Sequence, residues 1–372
     1  MSAETAIERL EVSAFTIPTS SPEADGTLEW NATTIVTVTA EAGDVRSLGY
    51  TYADVATAQL IDCTLKPVVL SRCALLTGAA WSAMWRRIRN LGQRGIGCMA
   101  IAAVDNSLWD LKARLLDVPL FALLGGARSS VPVYGSGGFT SYTVAEVEAQ
   151  FRGWVEDGIR AVKMKIGAHP EEDLARVSAA RAAIGPGARL YVDANGAYSR
   201  KQALEMARQF AELDVTWFEE PVPSHDLDGL RLMRDRAPER MEIAAGEYGY
   251  DAVYFRRMLE AGAVDVLQAD ATRCAGVTGF LQVDGLCRGF SVPLSAHTAP
   301  TLHGHLCCGA ITARDVEYFH DHARIEQLFF DGALKPVKGM LTPDRSRPGI
   351  GLEMKAADIE RYRVYGNADS RK

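Results

Sequence analysis

The sequence lacks the features that mark membrane proteins and nucleic-acid-binding proteins. No apolar run is long enough to cross a bilayer, and the first ten residues, MSAETAIERL, contain no hydrophobic segment of the kind found in signal peptides. The net charge is −7, with 40 Lys and Arg against 47 Asp and Glu, so we expect no electrostatic attraction to nucleic acid or to an anionic membrane. These absences predict a cytoplasmic protein whose partner is neither a membrane nor a nucleic acid.

Paired cysteines are also lacking. The chain contains seven cysteines, an odd number, and no CxxC pair occurs. We therefore expect reduced cysteines that pack mostly in the core, and no metal site built from thiolates. The remaining composition, 48% hydrophobic and 23% charged, is that of a globular protein, and 372 residues suffice for a large barrel with a smaller attached domain.

Short apolar runs recur through the second half of the chain, and each ends on a polar or charged residue. A strand, a helix and two short loops take up about 20–30 residues, and the spacing of these runs matches that length. Because the C-terminal ends of parallel strands meet at one rim of a barrel, the pattern predicts an α/β barrel with its chemistry at that rim. The runs are AVKMKIG with Lys163 and Lys165, RLYVDANG with Asp193, VTWFEEP with Glu219, MEIAAGE with Glu247, VDVLQAD with Asp270, SVPLSAH with His297 and RDVEYFH with Glu317.

The first part of the chain has a different pattern. Residues 53–125 predict helices, among them a long apolar helix that we expect to end at Gly125 and Gly126. The segment 18–30 is rich in Pro, Ser and Gly, and it contains acidic residues but neither Lys nor Arg. It predicts either an exposed connection or a lid over a pocket. Strands are predicted at residues 7–17, 33–41 and 47–52.

These patterns divide the chain into three segments. Residues 1–128 predict an α+β domain, and residues 129–323 predict a barrel of about eight strands with seven helices between them. In residues 324–372 only GIGLEM, at 349–354, predicts an extended segment. We therefore expect this last segment to pack back on the first domain, without an eighth helix after the eighth strand.

Asp193, Glu219 and Glu247 end three successive predicted strands, so their carboxylates should converge on one part of the rim. Three carboxylates this close would repel one another strongly unless a cation lay between them. A single strand-end carboxylate usually caps the next helix, but three in succession favour a metal site. Because all the ligands are oxygens, Mg²⁺ fits best; Asn195 either supports the site or simply forms an Asn-Gly turn.

Lys163 and Lys165 lie two residues apart on a strand predicted to be buried, so both side chains should point into the barrel mouth. Two crowded ammonium groups lower the pKa of one of them, and we expect a neutral amine that can act as a base. A Lys-x-Lys pair usually lies on a solvated surface, but the apolar residues on either side of this pair argue against that interpretation.

Asp270 and His297 end two neighbouring strands on the other side of the ring. A carboxylate beside an imidazole fixes its tautomer and makes it an effective acid or base, although a lone strand-end histidine is more often structural. Glu317 ends the eighth strand. If it is held protonated it can donate a hydrogen bond to a substrate oxygen, and an ordinary ion pair is the alternative.

The other clustered histidines are weaker candidates. His320 and His322 follow the eighth strand and could line the pocket. His303 and His305 lie in a predicted helix, where residues two apart do not share a face, so we expect them to pack in the core. Neither pair offers the three or four ligands that a zinc site needs.

Taken in order, KMK, VDANG, FEEP, GE, QAD, SAH and a final Glu resemble the enolase superfamily and, within it, the mandelate racemase subgroup. The segment AIAAVDNSLWDLKARLLDVPLFALLGG also resembles the helix that leads into that superfamily's barrel, so the resemblance covers nearly the whole chain. It implies a modified TIM barrel, (β/α)7β, with an N-terminal α+β capping domain. The segment 18–30, which ends on Trp30, corresponds in position to the family's specificity loop.

The resemblance also implies roles for the rim residues. Asp193, Glu219 and Glu247 would bind Mg²⁺, and Lys165 would be one base, with Lys163 beside it touching the substrate carboxylate. Asp270 and His297 would form the opposing acid–base pair, and Glu317 would bond to a carboxylate oxygen. Substrate contacts are further expected from Asn195, Trp30 and His320.

The reaction expected from this resemblance begins with removal of a proton α to a carboxylate. Loss of a β-hydroxyl, with His297 as the acid, then gives a 2-keto-3-deoxy acid, whereas reprotonation from the other face gives a racemase or epimerase. We expect the first, a dehydratase of an acid sugar, because most relatives with this residue set catalyse it; a barrel that only binds is the third possibility. The acidic segment 18–30 favours a polyhydroxylated mono-acid. A homo-oligomer of unspecified size is also implied.

Overall fold

The structure, a computed structural model, describes residues 5–366, so the outer ends of the predicted segments 1–128 and 324–372 lie outside the described range. The N-terminal part is an antiparallel sheet with the strands β1 (Arg9–Ala24), β2 (Glu29–Ala42), β3 (Val45–Arg46) and β4 (Gly49–Tyr52). Its helices are α1 (Ala56–Leu60), α2 (Lys66–Val69), α3 (Thr77–Arg87), α4 (Ile96–Leu115) and α5 (Leu120–Leu123), with a π-helical turn at Ile61–Leu65 between α1 and α2.

Helix α4 is the predicted apolar helix, and it is buried against the sheet along most of its length. It ends at Leu115 rather than at Gly125 and Gly126, so the predicted end was wrong. Asp117 takes the left-handed conformation, with φ of 53°, directly after the helix, and its short polar side chain tolerates that backbone. The two glycines instead follow the short helix α5.

The segment 18–30 is mostly strand, not the predicted connection. β1 and β2 continue through it as a hairpin with a bulge between Pro18 and Glu23, and only a short turn remains. In that turn one carboxylate oxygen of Asp25 accepts the backbone N–H groups of Thr27, at 2.6 Å, and Leu28, at 2.8 Å. An Asp-Gly pair flanked by strands is a strong hairpin signal, so this feature could have been read from the sequence.

The tip of this hairpin docks on the barrel. Thr140 donates from its backbone to Ala24 O, at 2.9 Å, and from its hydroxyl to Asp25 O, at 2.8 Å. A Cβ added to Gly26 would lie 2.5 Å from Ala194 O and 2.6 Å from Ile166 O, so the hairpin backbone touches the loops after two barrel strands. The tip therefore covers part of the barrel rim, as the lid interpretation expected.

The barrel alternates strands and helices. Its strands are β5 (Val131–Gly137), β6 (Ala161–Lys165), β7 (Arg189–Asp193), β8 (Val215–Glu219), β9 (Glu242–Ala245), β10 (Val266–Ala269), β11 (Leu294–Ala296) and β12 (Ala313–Phe319). The helices between them are α6 (Val144–Glu156), α7 (Pro170–Ile184), α8 (Arg200–Ala211), α9 (Leu227–Arg236), α10 (Ala252–Glu260), α11 (Gly276–Phe290) and α12 (Pro300–Gly309).

Within the described residues these eight strands pair in parallel and in chain order, and β12 pairs with β5 to close the barrel. The predicted modified TIM barrel with an N-terminal capping domain is thus confirmed. Because side chains alternate along each strand, the residues two positions before the rim point into the barrel. Tyr134, Tyr191 and Trp217 pack together there and fill its interior beneath the rim.

A helix does follow the eighth strand, contrary to expectation. The C-terminal elements are α13 (His320–Phe329), β13 (Phe330–Asp331), β14 (Met340–Leu341), β15 (Glu353–Met354), α14 (Ala356–Ile359), a 3₁₀ turn at Glu360–Tyr362 and β16 (Arg363–Tyr365). Helix α13 was not predicted because its sequence, HDHARIEQ, is polar. Acidic residues such as Asp321 and Glu326 occupy buried positions where an apolar pattern would be expected. β16 pairs with β1 of the N-terminal sheet, and β14 pairs with β5 of the barrel.

Among residues 5–366, every helix is too short or too polar to span a bilayer.

The close approach of β4 to α4 gives a test of packing between sheet and helix. A Cβ at Gly49 would collide with the backbone of Ala103 and Ser107, and backbone atoms of a buried helix cannot move aside cheaply. We expect Gly49→Ala to lower the free energy of unfolding by about 1–3 kcal/mol or more, measured by chemical unfolding. Gly78→Ala in α3, where a Cβ meets nothing within 4 Å, is the control and should be neutral or slightly stabilising. Equal effects of the two substitutions would contradict this packing.

Glu23 in the hairpin gives a test through pH. Its pKa is raised to about 8, because burial and then the charge of Asp321 outweigh the Trp30 hydrogen bond and Arg324. The unfolded chain releases the Glu23 proton above the ordinary pKa of 4.5, whereas the folded protein keeps it up to about pH 8. The free energy of unfolding therefore falls as the pH rises from 4.5 to about 8. Glu23→Gln should be increasingly more stable than the wild type, by about 1 kcal/mol per pH unit in that window.

Unfolding of both proteins at several pH values between 5 and 8 measures this difference. Glu29→Gln, at an exposed position of the same hairpin, is the control and should show no such trend. If the difference in the free energy of unfolding between Glu23→Gln and the wild type stayed constant with pH, the raised pKa of Glu23 would be wrong.

Candidate metal and acid–base site

The register of the barrel strands places three predicted site residues side by side. Lys165 lies opposite Asp193 in the β6–β7 pair, and Asp193 lies opposite Glu219 in the β7–β8 pair. Glu247 follows β9, the next strand. Carboxylate oxygens of Asp193, Glu219 and Glu247 all lie within 4.8 Å of one another, and the three side chains are buried. We call these three residues the acidic triad.

The acidic triad has the chemistry of a site for a hard divalent cation. All three donors are carboxylate oxygens, which suit Mg²⁺ rather than a thiophilic metal. One buried oxygen of Glu247, Oε2, has no hydrogen-bond partner among the described residues. A buried, unpaired carboxylate oxygen costs free energy unless a cation or donor reaches it, so the triad fits a bound Mg²⁺.

The two lysines form ion pairs with the triad. Lys163 Nζ lies 2.5 Å from Glu219 Oε1, 2.9 Å from Glu317 Oε1 and 3.4 Å from Asp193 Oδ2. Lys165 Nζ lies 2.5 Å from Asp193 Oδ2 and 3.1 Å from the side-chain oxygen of Asn195. Both ammonium groups therefore point into the barrel mouth, as the alternation of side chains along the strand predicted.

The expected lowering of a lysine pKa is not found in this arrangement. Burial and the neighbouring Lys163 lower the pKa of Lys165, but the charges of Asp193, Glu247 and Glu219 together outweigh them, so the pKa lies above its usual value. For Lys163 burial is opposed by Glu219 and Glu317, and its pKa is also raised. Repulsion between the two lysines alone would lower one pKa, but the carboxylates around them reverse the direction of the shift.

Asp270 and His297 form the expected pair. His297 Nδ1 lies 2.9 Å from Asp270 Oδ2, and its other ring nitrogen, Nε2, lies 3.4 Å from Glu247 Oε2. Burial raises the pKa of Asp270, but the hydrogen bond and the charge of His297 have the larger combined effect. The pKa therefore lies below its usual value, which favours the carboxylate form of Asp270. A carboxylate only accepts, so Nδ1 carries the proton and Nε2 faces the triad.

Of the two alternatives for Glu317, the ion pair fits the structure better than the protonated acid. Burial raises its pKa, but Lys163 and then His297 lower it below its usual value. Its Oε1 accepts from the Ser136 hydroxyl at 2.6 Å, and its Oε2 lies 3.7 Å from His297 Nε2. It therefore links the Lys163 side of the site to the His297 side.

Two residues that hold Glu219 were not predicted from the sequence. Trp217 Nε1 and Gln268 Nε2 each donate to Glu219 Oε2 at 2.9 Å. Trp217 precedes Glu219 by two positions, and Gln268 precedes Asp270 by two. Strand alternation puts residues two apart on one face, so stepping back along the FEEP and QAD runs would have found both.

Glu220, the second acid of FEEP, was also missed. It is buried beside the triad with φ of 36°, and its Oε1 has no hydrogen-bond partner among the described residues. Burial, and then the charge of Glu247, raise its pKa well above the usual value. Arg273 offsets part of the negative charge on the other side, where it lies 3.4 Å from Glu247 Oε1 and 3.6 Å from Asp270 Oδ2.

The three expected substrate contacts differ in position. Asn195 is at the site, where it accepts from Lys165. Trp30 lies in the hairpin, donates to Glu23 at 3.0 Å and packs edge-on against Phe139 after β5. His320 is only partly buried, and the charges that act on it are those of Asp321 and Arg324.

His322 lies nearer the site than His320. Its ring is buried and stacks on Tyr52 of β4, with ring centroids 3.4 Å apart. Burial and the charge of His297 lower its pKa well below the usual value. In a helix, residues two apart point in different directions, which explains why the second histidine of HDH faces inward and the first does not.

Comparisons with known proteins agree with this geometry. Residues 146–359 match the family described as "Enolase C-terminal domain-like", and residues 12–125 match "Mandelate racemase / muconate lactonizing enzyme, N-terminal domain". An arabinonate dehydratase of Saccharolobus solfataricus is 30% identical, over 91% of this chain and 92% of that protein. A 3,6-anhydro-alpha-L-galactonate cycloisomerase of Streptomyces coelicolor is 33% identical, over 93% of this chain and 97% of that protein.

Solved structures share the whole fold. A mandelate racemase/muconate lactonizing enzyme-like protein from Rubrobacter xylanophilus is 51% identical with a TM-score of 0.95, over 96% of this chain and 100% of that one. A racemase from Streptomyces coelicolor, determined with bound magnesium, is 30% identical with a TM-score of 0.91, over the same shares of the two chains. With both halves matched and the buried acidic triad in place, the chain belongs to the mandelate racemase/muconate lactonizing enzyme family of the enolase superfamily.

Proposed function

We propose that the protein removes the α-proton of a carboxylate substrate with the help of Mg²⁺, and that it acts as an acid-sugar dehydratase. One observation carries this proposal: the acidic triad lies between two potential acid–base groups. Lys165 contacts the triad at Asp193, and His297 contacts it at Glu247. A substrate held at the triad would therefore have a proton acceptor or donor on either side.

Asp193, Glu219 and Glu247 would hold the metal ion. When bound, Mg²⁺ would supply positive charge that stabilises the negative charge developing on the substrate carboxylate. Lys163 and Ser136 would orient that carboxylate, and Glu317 would hold both of these side chains in place through its contacts with them. Positive charge at the triad would also offset the attraction of Asp193 that raises the pKa of Lys165.

Two groups can exchange protons with a bound substrate. Lys165 Nζ would act beside Asp193, and His297 Nε2 would act beside Glu247. Asp270 keeps the proton on His297 Nδ1, so that Nε2 is the atom that takes or gives a proton. If His297 Nε2 donates a proton to the β-hydroxyl, water leaves and a 2-keto-3-deoxy acid forms; if it protonates the α-carbon, the product is an epimer.

Two observations support dehydration of a sugar acid. The relatives include an arabinonate dehydratase that matches almost the full chain. The hairpin over the site carries buried Glu23 and half-buried Trp30 and has no lysine or arginine between residues 18 and 30, so it suits hydroxyl groups better than a second carboxylate. Arg324 does reach the hairpin at Pro18 O, but its guanidinium is paired with Asp321.

We also propose that the protein is a cytoplasmic homo-oligomer and that its segments divide near residues 128 and 323. Support for the oligomer comes from the family resemblance, and support for the division comes from the change of pattern before β5 and after β12.

Incubation with Mg²⁺ and a library of sugar acids in D₂O tests the reaction class. We expect formation of a 2-keto acid, detected as its semicarbazone, from one or a few of the acids. His297→Asn should lower this dehydration by about 100-fold or more, because loss of a general acid removes that much rate. Exchange of the α-proton without a keto acid would identify a racemase or epimerase. If no acid gave either exchange or a keto acid, both reactions would be excluded.

Calorimetric titration with Mg²⁺ tests the metal site independently of any substrate. Glu247→Gln should weaken Mg²⁺ binding by about 10-fold or more, because a charged oxygen ligand is lost. The matched control is Glu242→Gln, at the start of β9, the strand that Glu247 follows, where the side chain pairs with Arg314 outside the site. If the two variants bound Mg²⁺ equally well, the acidic triad would not be the metal site.

A further inference from the structure

The turn that carries His297 is strained. Thr298 and Ala299 follow directly, with φ of 53° and 37°, in the left-handed region that residues with a Cβ rarely adopt. Thr298 is β-branched, which makes this backbone still less favourable. Such a turn persists only if neighbouring groups hold it, so the position of His297 depends on whatever binds these two residues.

His303 makes the shortest side-chain bond to the backbone of Thr298 and Ala299. It lies on α12 and is fully buried. Its Nδ1 is 2.7 Å from Thr298 O, and its Nε2 is 2.9 Å from the backbone nitrogen of Ala271. A carbonyl can only accept and a backbone N–H can only donate, so the ring must be neutral with its proton on Nδ1. Burial lowers the pKa of His303, which is consistent with this neutral form.

The two partners of His303 adjoin the two members of the acid–base pair. Ala271 follows Asp270, and Thr298 follows His297, so one imidazole ring connects the backbones of the two turns. We propose that His303 is a positioning residue that fixes the separation and orientation of Asp270 and His297. This inference rests on the proposed function, in which His297 exchanges protons with the substrate.

Other contacts hold each turn separately. Asp270 Oδ1 accepts from the backbone N–H and the hydroxyl of Thr272, both at 2.7 Å, which orients the carboxylate within its own turn. Glu317 Oε2 accepts from the Thr298 N–H at 3.2 Å. The Thr298 hydroxyl reaches Asp270 Oδ2 only at 3.5 Å, a weak contact. Two other strong bonds join the turns directly: the His297–Asp270 bond itself and the bond from the His297 backbone N–H to Ala269 O, both at 2.9 Å. Among the described residues, His303 is the side chain outside the pair that makes a strong bond to each turn.

The chain supplies a matched control two residues away. His305 lies on the same helix and is equally buried, but its Nδ1 has no hydrogen-bond partner among the described residues, and its ring packs near Phe121. Its substitution removes a buried imidazole without touching either turn. Comparison of the two positions therefore separates positioning from a general loss of packing.

The first measurement needs no substrate. In the Mg²⁺-loaded protein labelled with ¹⁵N-histidine, the Nδ1–H of His297 bonded to Asp270 should give a signal protected from solvent exchange, assigned by its absence in His297→Asn. His303→Leu should lose or shift that signal, whereas His303→Gln should retain it, because an amide offers one acceptor and one donor. His305→Leu should also retain it. An unchanged signal in His303→Leu would overturn the proposal.

The second measurement uses the sugar acid identified by the D₂O screen. His303→Leu should lower kcat by about 10- to 100-fold, because a small displacement of a catalytic group costs that much, and should change KM little. His303→Gln should recover most of kcat, and His305→Leu should retain it even if its melting temperature falls. Equal losses of kcat in His303→Leu and His305→Leu would show that His303 contributes only packing, and the positioning role would be wrong.

The two measurements distinguish failure of this inference from failure of the proposed function. If the His297 signal moves as expected but no acid is turned over, His303 does position the pair and the proposed reaction is wrong. If acids are turned over and His303→Leu leaves both the signal and kcat unchanged, the reaction stands and the positioning role is refuted.

Discussion

Mutual repulsion of three buried carboxylates is the constraint around which the site is built. Oxygens of Asp193, Glu219 and Glu247 lie within 4.8 Å of one another. At an effective dielectric constant of about 20, unit charges at that separation or closer repel by about 3.5 kcal/mol or more per pair. Neutral hydrogen bonds, worth about 1 kcal/mol each, cannot offset this, so cations are required. Lys163 and Lys165 supply part of the positive charge, and the unpaired oxygen of Glu247 marks where more is needed.

The barrel and the hairpin both serve this constraint by excluding water. Beneath the rim, Tyr134, Tyr191 and Trp217 fill the barrel, and Trp217 also donates to Glu219. Above the rim, the hairpin turn rests on the loops that follow Lys165 and Asp193. A site closed from both sides has a low effective dielectric, which strengthens attraction and repulsion alike. The placement of each charge then matters more than it would at a surface.

The sequence predicted the barrel and its rim because both depend on local periodicity. Strand alternation and the spacing of the runs were sufficient to place Lys165, Asp193 and Glu219 on adjacent strands, and the register confirms that arrangement. The identities of the supporting residues Trp217 and Gln268 could have been found by the same rule. By contrast, the inward direction of His322 depends on where α13 begins, and that helix was not predicted because its sequence lacks an apolar helical pattern.

Electrostatic expectations were less successful, for a physical reason. The pKa of a buried group depends on every charge within reach, and those charges come from strands far apart in the sequence. The two lysines were expected to oppose each other, but carboxylates of three strands surround them and raise the pKa of both. For Glu317 the sequence left a protonated acid and an ion pair open, and Lys163 and His297 favour the ionised form. Charge balance at this site is a property of the assembled rim.

The hairpin turn at Gly26 has a consequence for how such a protein can diversify. The groups proposed to carry out proton transfer all belong to the barrel, while the turn that covers them belongs to a separate sheet and meets the rim through backbone atoms. Mutations in the turn can therefore reshape the space available to a ligand without displacing any charged rim residue. Selection could exchange one ligand for another along this lineage while the reactive machinery is inherited intact.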